Sequence, residues 1–176
     1  MRTARIAPAL ISLALLATAC GGMSPEPVTI PSGPSASASE QKTSNVQPFG
    51  SSFAYADGLI VTVSKPTVFT PSDTSFGHEA GNTAVKFTIT IENKTGAQFN
   101  PSLAGMSLTY GDSGATAEIV SDSANKVGGA FAQVILPGNK ATVISGYSVP
   151  KGTKKIQGQF SAGDFSHDPA IFTGTL

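Results

Sequence analysis

The sequence predicts an all-β fold, an antiparallel β-sandwich, and three observations carry that expectation. Short runs with alternating apolar and polar side chains recur from Phe49 to the C-terminus. Gly or Pro separates most of them, and no stretch sustains a helical period. About eight short strands without intervening helices favour two packed antiparallel sheets over a parallel α/β arrangement.

The elements follow in order. Ser51–Tyr55 and Leu59–Val63 flank Ala56-Asp57-Gly58, which reads as a hairpin closed by an Asp-Gly turn. Pro66 interrupts the second run and assigns it to an edge strand or a bulge, because proline cannot donate to a ladder. Ala84–Glu92 is the clearest strand. Val85, Phe87, Ile89 and Ile91 face one way and Lys86, Thr88, Thr90 and Glu92 the other, so one face is buried and the other wet. Asn93-Lys94-Thr95-Gly96 ends it with turn chemistry. Further strands are expected at 102–110, 116–120, 130–136, 140–149, 154–161 and 170–176.

Ahead of this domain the chain has a different character. Arg2 and Arg5 precede an apolar stretch, residues 6–19, of about 14 residues. That is short of the roughly 20 helical residues a bilayer core requires, and suits a cleaved export signal over 1–19. Ala17-Thr18-Ala19 leads into Cys20, the only cysteine. The order of charge, apolar run, small residues and cysteine is that of a lipoprotein signal. It makes Cys20 the expected site of an S-linked diacylglycerol and an N-acyl chain. Ala17-Thr18-Ala19 also satisfies the rule for plain secretory cleavage, so secretion without an anchor is the alternative. Two or three acyl chains would hold the protein stably at the outer face of the cytoplasmic membrane. Residues 20–48, rich in Pro, Ser, Ala and Gly, read as a disordered, flexible tether, because they cannot bury enough apolar surface to offset ordering.

Charge narrows the function classes. From Cys20 onward the chain has nine lysines, no arginine and eleven acids, a formal charge of −2. No basic stripe with interleaved aromatics is present, so nucleic acid is not an expected partner. No second cysteine exists to staple the fold, which must stand on its apolar core.

Several segments together resemble a known family. They are Asp57-Gly-Leu-Ile-Val-Thr-Val-Ser-Lys-Pro66, Phe69-Thr-Pro-Ser-Asp73, Gly81–Asn93, Phe99-Asn-Pro-Ser-Leu103, Leu136-Pro-Gly138 and Asp168-Pro-Ala-Ile-Phe172. In this order they resemble actinobacterial lipoproteins carrying an immunoglobulin-like domain of unknown function, similar to the mycobacterial immunoprotective extracellular antigen. The resemblance covers nearly all of 49–176 and implies an immunoglobulin-like sandwich on a lipidated stalk. It implies no activity. The paired cysteines and tryptophan of antibody-type domains are absent.

Two clusters offer chemistry. Asp73, His78 and Glu79 share the polar loop 71–82, which reads as a contact surface or an oxygen-rich cation site, against the plainer reading of a solvated turn. Their spacing fits neither an EF-hand nor a zinc pattern. Asp164, His167 and Asp168 form the other cluster, a base flanked by carboxylates or simply a turn ahead of the last strand. No nucleophile elbow, phosphate-binding loop or HExxH element occurs. Lys151, Lys154 and Lys155 read as guards of an edge strand, and Tyr55, Tyr110 and Tyr147 as sheet or core residues. The expectation is a monomeric, non-catalytic binding domain without a cofactor, engaging an envelope protein. A small-ligand or cation carrier is the alternative, and a hydrolase the more distant one.

Overall fold

The computed structural model describes residues 45–176. The export signal, Cys20 and the tether up to residue 44 lie outside the described residues. The strands are, in chain order, β1 (Val46–Pro48), β2 (Ser52–Ala54), β3 (Leu59–Val63), β4 (Thr67–Phe69), β5 (Thr83–Asn93), β6 (Gly105–Tyr110), β7 (Ala115–Thr116), β8 (Glu118–Val120), β9 (Lys140–Val149), β10 (Lys155–Ser161) and β11 (Ala170–Thr175). They form two sheets. Sheet A runs β1-β11-β10-β6-β7 and sheet B runs β2-β3-β5-β9-β8, with β4 also paired to β5. The described residues form an all-β sandwich.

Alternation builds the layers. Along β5, Val85, Phe87, Ile89 and Ile91 are fully buried, and its long pairing with β9 runs from Thr83↔Val149 to Glu92↔Lys140. Ile156 and Phe160 of β10, Ala170 and Phe172 of β11 and Leu108 of β6 close the core from sheet A. Phe49 lies in the core with its ring 4.8 Å from that of Phe87 and 6.3 Å from that of Phe172. Room for it comes from Gly158 and Gly174. A Cβ on either would approach the Phe49 ring to 3.2 or 2.9 Å.

The expected hairpin is present, with Ser52↔Thr62 to Ala54↔Ile60 in register. Asp57 Oδ1 accepts from the Leu59 N–H at 3.0 Å, and Gly58 turns with φ +102°, which favours glycine. Pro66 marks a bulge. Val63 pairs with Ile89 and Thr67 with Lys86, so three residues, 64–66, oppose two, 87–88, which is the signature of one extra residue.

The structure corrects four expectations. The sandwich is not wholly antiparallel, because β1 pairs with β11 in parallel. That strand uses Val46–Pro48, which composition places in the tether; backbone pairing to a sheet edge holds it, and Val46 remains 49 % exposed. The strand expected at 116–120 is divided between the layers. β7 pairs with β6 of sheet A and β8 with β9 of sheet B, and buried Ala117 makes the crossing. The strand expected at 130–136 is a strap with a single bridge, Phe99↔Ile135. It is held by burying Phe131 and Ile135, and its alternation reflects that burial without a ladder. The segment 102–110 becomes strand only from Gly105, because Ala104 N–H donates to Pro101 O in a turn.

Candidate functional site

Loop 71–82 is built onto the β8 edge of sheet B. Phe76 and Ser121 exchange backbone hydrogen bonds of 2.8 and 2.9 Å, which caps an otherwise open edge strand. Asp122, 1 % exposed, anchors the loop from below. Its carboxylate accepts from the Ser72 N–H at 2.7 Å, the Ser72 hydroxyl at 2.8 Å and the Asn125 amide at 2.8 Å. These donors, the Ser72 N–H foremost, hold the Asp122 carboxyl well below the usual carboxylate range.

The structure separates the three candidate residues of this loop. His78 and Glu79 meet at buried Ser148. The His78 ring lies 3.4 Å from the Ser148 hydroxyl, the Glu79 N–H donates to that oxygen at 3.4 Å, and the Asn82 amide donates to it at 3.1 Å. Asp73 is exposed on the tight turn closed by Ser75 N–H to Ser72 O. Among the described residues, no group of three or more His, Cys, Asp or Glu side chains is placed to hold a metal ion. What the loop does display is Phe76, 81 % exposed, beside the β8 segment that carries Ile119, 64 % exposed. Phe76 carries a signal that a sequence reading can use, as the one aromatic in an otherwise polar, turn-rich loop.

The second cluster assembles at the end of the sandwich where the described chain begins. His167 Nδ1 lies 2.6 Å from Asp164 Oδ2, and Nε2 lies 3.1 Å from Asp57 Oδ2. Tyr55 stands edge-on to the imidazole at 4.5 Å between centroids, and Phe99 does so at 6.4 Å. The imidazole is therefore wedged between the β2–β3 turn of sheet B and the β10–β11 loop of sheet A. Burial works against the charged form of Asp164, but hydrogen bonds from His167 and Ser166 outweigh it and lower its pKa. The Tyr55 hydroxyl is buried and makes no hydrogen bond of ordinary geometry. Burial, with Asp164 nearby, pushes its pKa up to about 12, although the adjacent Ala170 N–H pulls it slightly back. Asp168 lines the neighbouring cleft together with Asn45 and Asp57. The link to Asp57 is invisible to sequence reading, because Asp57 already has a local explanation as a turn residue.

No family model matches the chain, and no curated protein matches it by sequence. Solved structures match the fold. The yjhA protein of Bacillus subtilis aligns at 14 % identity over 72 % of this chain and 97 % of its own, with a TM-score of 0.57. The proposed lipoprotein ycdA of the same organism aligns at 12 % identity over 71 % of this chain, TM-score 0.54, and the chain spans 38 % of its length. The secreted protein MPT63 of Mycobacterium tuberculosis is more distant, at 13 % identity, 74 % and 96 % coverage and a TM-score of 0.46. These likenesses are to the sandwich architecture.

Proposed function

We propose that this chain is an exported envelope protein, anchored through acylated Cys20, whose sandwich is a non-catalytic module that binds another envelope protein. One observation carries the reading: Phe76 is 81 % exposed on backbone fixed by paired hydrogen bonds to Ser121. An aromatic held out on rigid backbone loses little conformational freedom on binding, which suits an interface anchor. Ile119, Asp73, His78 and Glu79 supply an apolar neighbour and a polar rim. The His167 cluster at the other end of the sandwich supports a structural role, because each ring nitrogen already faces a carboxylate.

Two experiments test this reading. A photoreactive residue in place of Ser75, in cells, is expected to capture one dominant envelope protein; no adduct from folded, exported protein would overturn the interaction reading. Cys20→Ala is expected to release the protein from membranes or leave it unprocessed, and normal processing with unchanged retention would overturn the anchor.

A further inference from the structure

The core stops short on the side where the chain crosses from β7 to β8. A partly open cavity of about 180 Å³ remains between the sheets. Met106 of sheet A, Ile89, Val143 and Tyr147 of sheet B and Phe131 of the strap form its walls. Protein interiors are packed densely enough that few voids exceed a water molecule. An engineered cavity of about 150 Å³ lined by Leu, Ile and Phe stays dry and takes up benzene or xenon. The space here is of the same order, partly open, and walled by the backbone of Gly128, Gly129 and Gly146 as well as by apolar side chains.

Two glycines at its rim leave the space open without a backbone reason. Gly146 is explained by close packing, since a Cβ there would stand 2.3 Å from Val127 Cγ1. Gly105 and Gly129 are different. Neither has a positive φ. A Cβ at Gly105 would meet nothing within 4 Å, and one at Gly129 would meet only Val143 Cβ, at 4.0 Å. A Cβ at either exposed rim position is therefore free of close contacts, and at Gly129 it lies next to Val143 of the cavity wall. No lysine, aspartate, glutamate or histidine lines it, and the Tyr147 hydroxyl is already committed to Met106 O. A charged guest would enter without a counter-charge, at a large desolvation cost.

We propose that this cavity is a binding site for a small, uncharged, largely apolar molecule the size of one aromatic ring. The site adjoins the proposed partner surface, since Ile119 lines the cavity as well, but its test does not involve Phe76.

Benzene is the probe. In the full chain with labelled Ile and Val methyl groups, benzene is expected to shift the Ile89 and Val143 signals in a saturable way. Gly129→Leu, a substitution at an exposed position, is expected to abolish that shift while the melting temperature holds or rises. Gly105→Leu is the second plug, should the first disturb folding. Absence of a saturable shift in the native protein would overturn the proposal. So would an undiminished shift in a folded plug variant.

Discussion

Asp57 and His167 are 110 positions apart in the chain, and their side chains meet at 3.1 Å. The contact ties the hairpin turn of one sheet to the β10–β11 loop of the other. With Asp164 on the remaining ring nitrogen, it fastens the end of the sandwich from which the chain runs back toward its N-terminus.

That fastening is measurable as a coupling. A double-mutant cycle of Asp57→Ala and His167→Ala is expected to give an interaction energy of about 1 kcal/mol. The value stays modest because the Asp57 side chain is 48 % exposed and solvent screens the pair. Additive single-mutant effects in denaturant unfolding would show that the contact does not hold the two loops together.

The two tyrosines with buried hydroxyls, Tyr55 and Tyr147, should behave oppositely on losing them. Tyr147 donates to Met106 O, so Tyr147→Phe is expected to cost about 1 kcal/mol or more by orphaning that carbonyl. The Tyr55 hydroxyl is buried and makes no hydrogen bond of ordinary geometry, so Tyr55→Phe is expected to be neutral or stabilising. Both phenols titrate near 12 in the fold against 10.0 in the open chain. Stability is therefore full below pH 10 and falls as pH rises toward 12, where the unfolded chain releases protons the folded one retains. Tyr55→Phe should flatten part of that alkaline decline; an unchanged pH profile would contradict the burial argument.

Acid should loosen loop 71–82 first through Asp122. Its carboxyl and that of Asp164 titrate below the ordinary aspartate value of 3.8. Their contribution is thus present above about pH 4 and drains as pH falls through the lower folded values. Asp122→Asn is expected to lower the melting temperature at neutral pH, shrink its acid dependence and raise amide exchange at Ser72 and Ser75. Exchange unchanged at those amides would mean that the loop is held by other contacts.

Much of the fold was legible because it rests on local alternation. β5, β9 and the Asp57-Gly58 hairpin could be read from side-chain period and turn residues alone. The division of 116–120 between two sheets could not, since a chain crossing layers at Ala117 keeps the same local pattern as a single strand. The strap 130–136 misled for the complementary reason: Phe131 and Ile135 are buried at alternating positions without a ladder. β1 was missed because its order comes from pairing with β11, a partner more than a hundred residues away. At the candidate site the loop itself was legible from its polar composition. Its three charged residues drew attention from Phe76, whose exposure depends on the backbone bridge to Ser121, and Asp122 gave no local sign of being the loop's anchor.

The central claim is that Phe76 is the anchor of a protein interface, and the most direct measurement compares crosslinking from position 75 in cells carrying native Phe76 or Phe76→Ser. The account expects the dominant adduct to disappear in Phe76→Ser while the melting temperature of the protein stays unchanged, since that side chain is 81 % exposed and supports no core. An adduct persisting at native yield in the folded Phe76→Ser protein would contradict it.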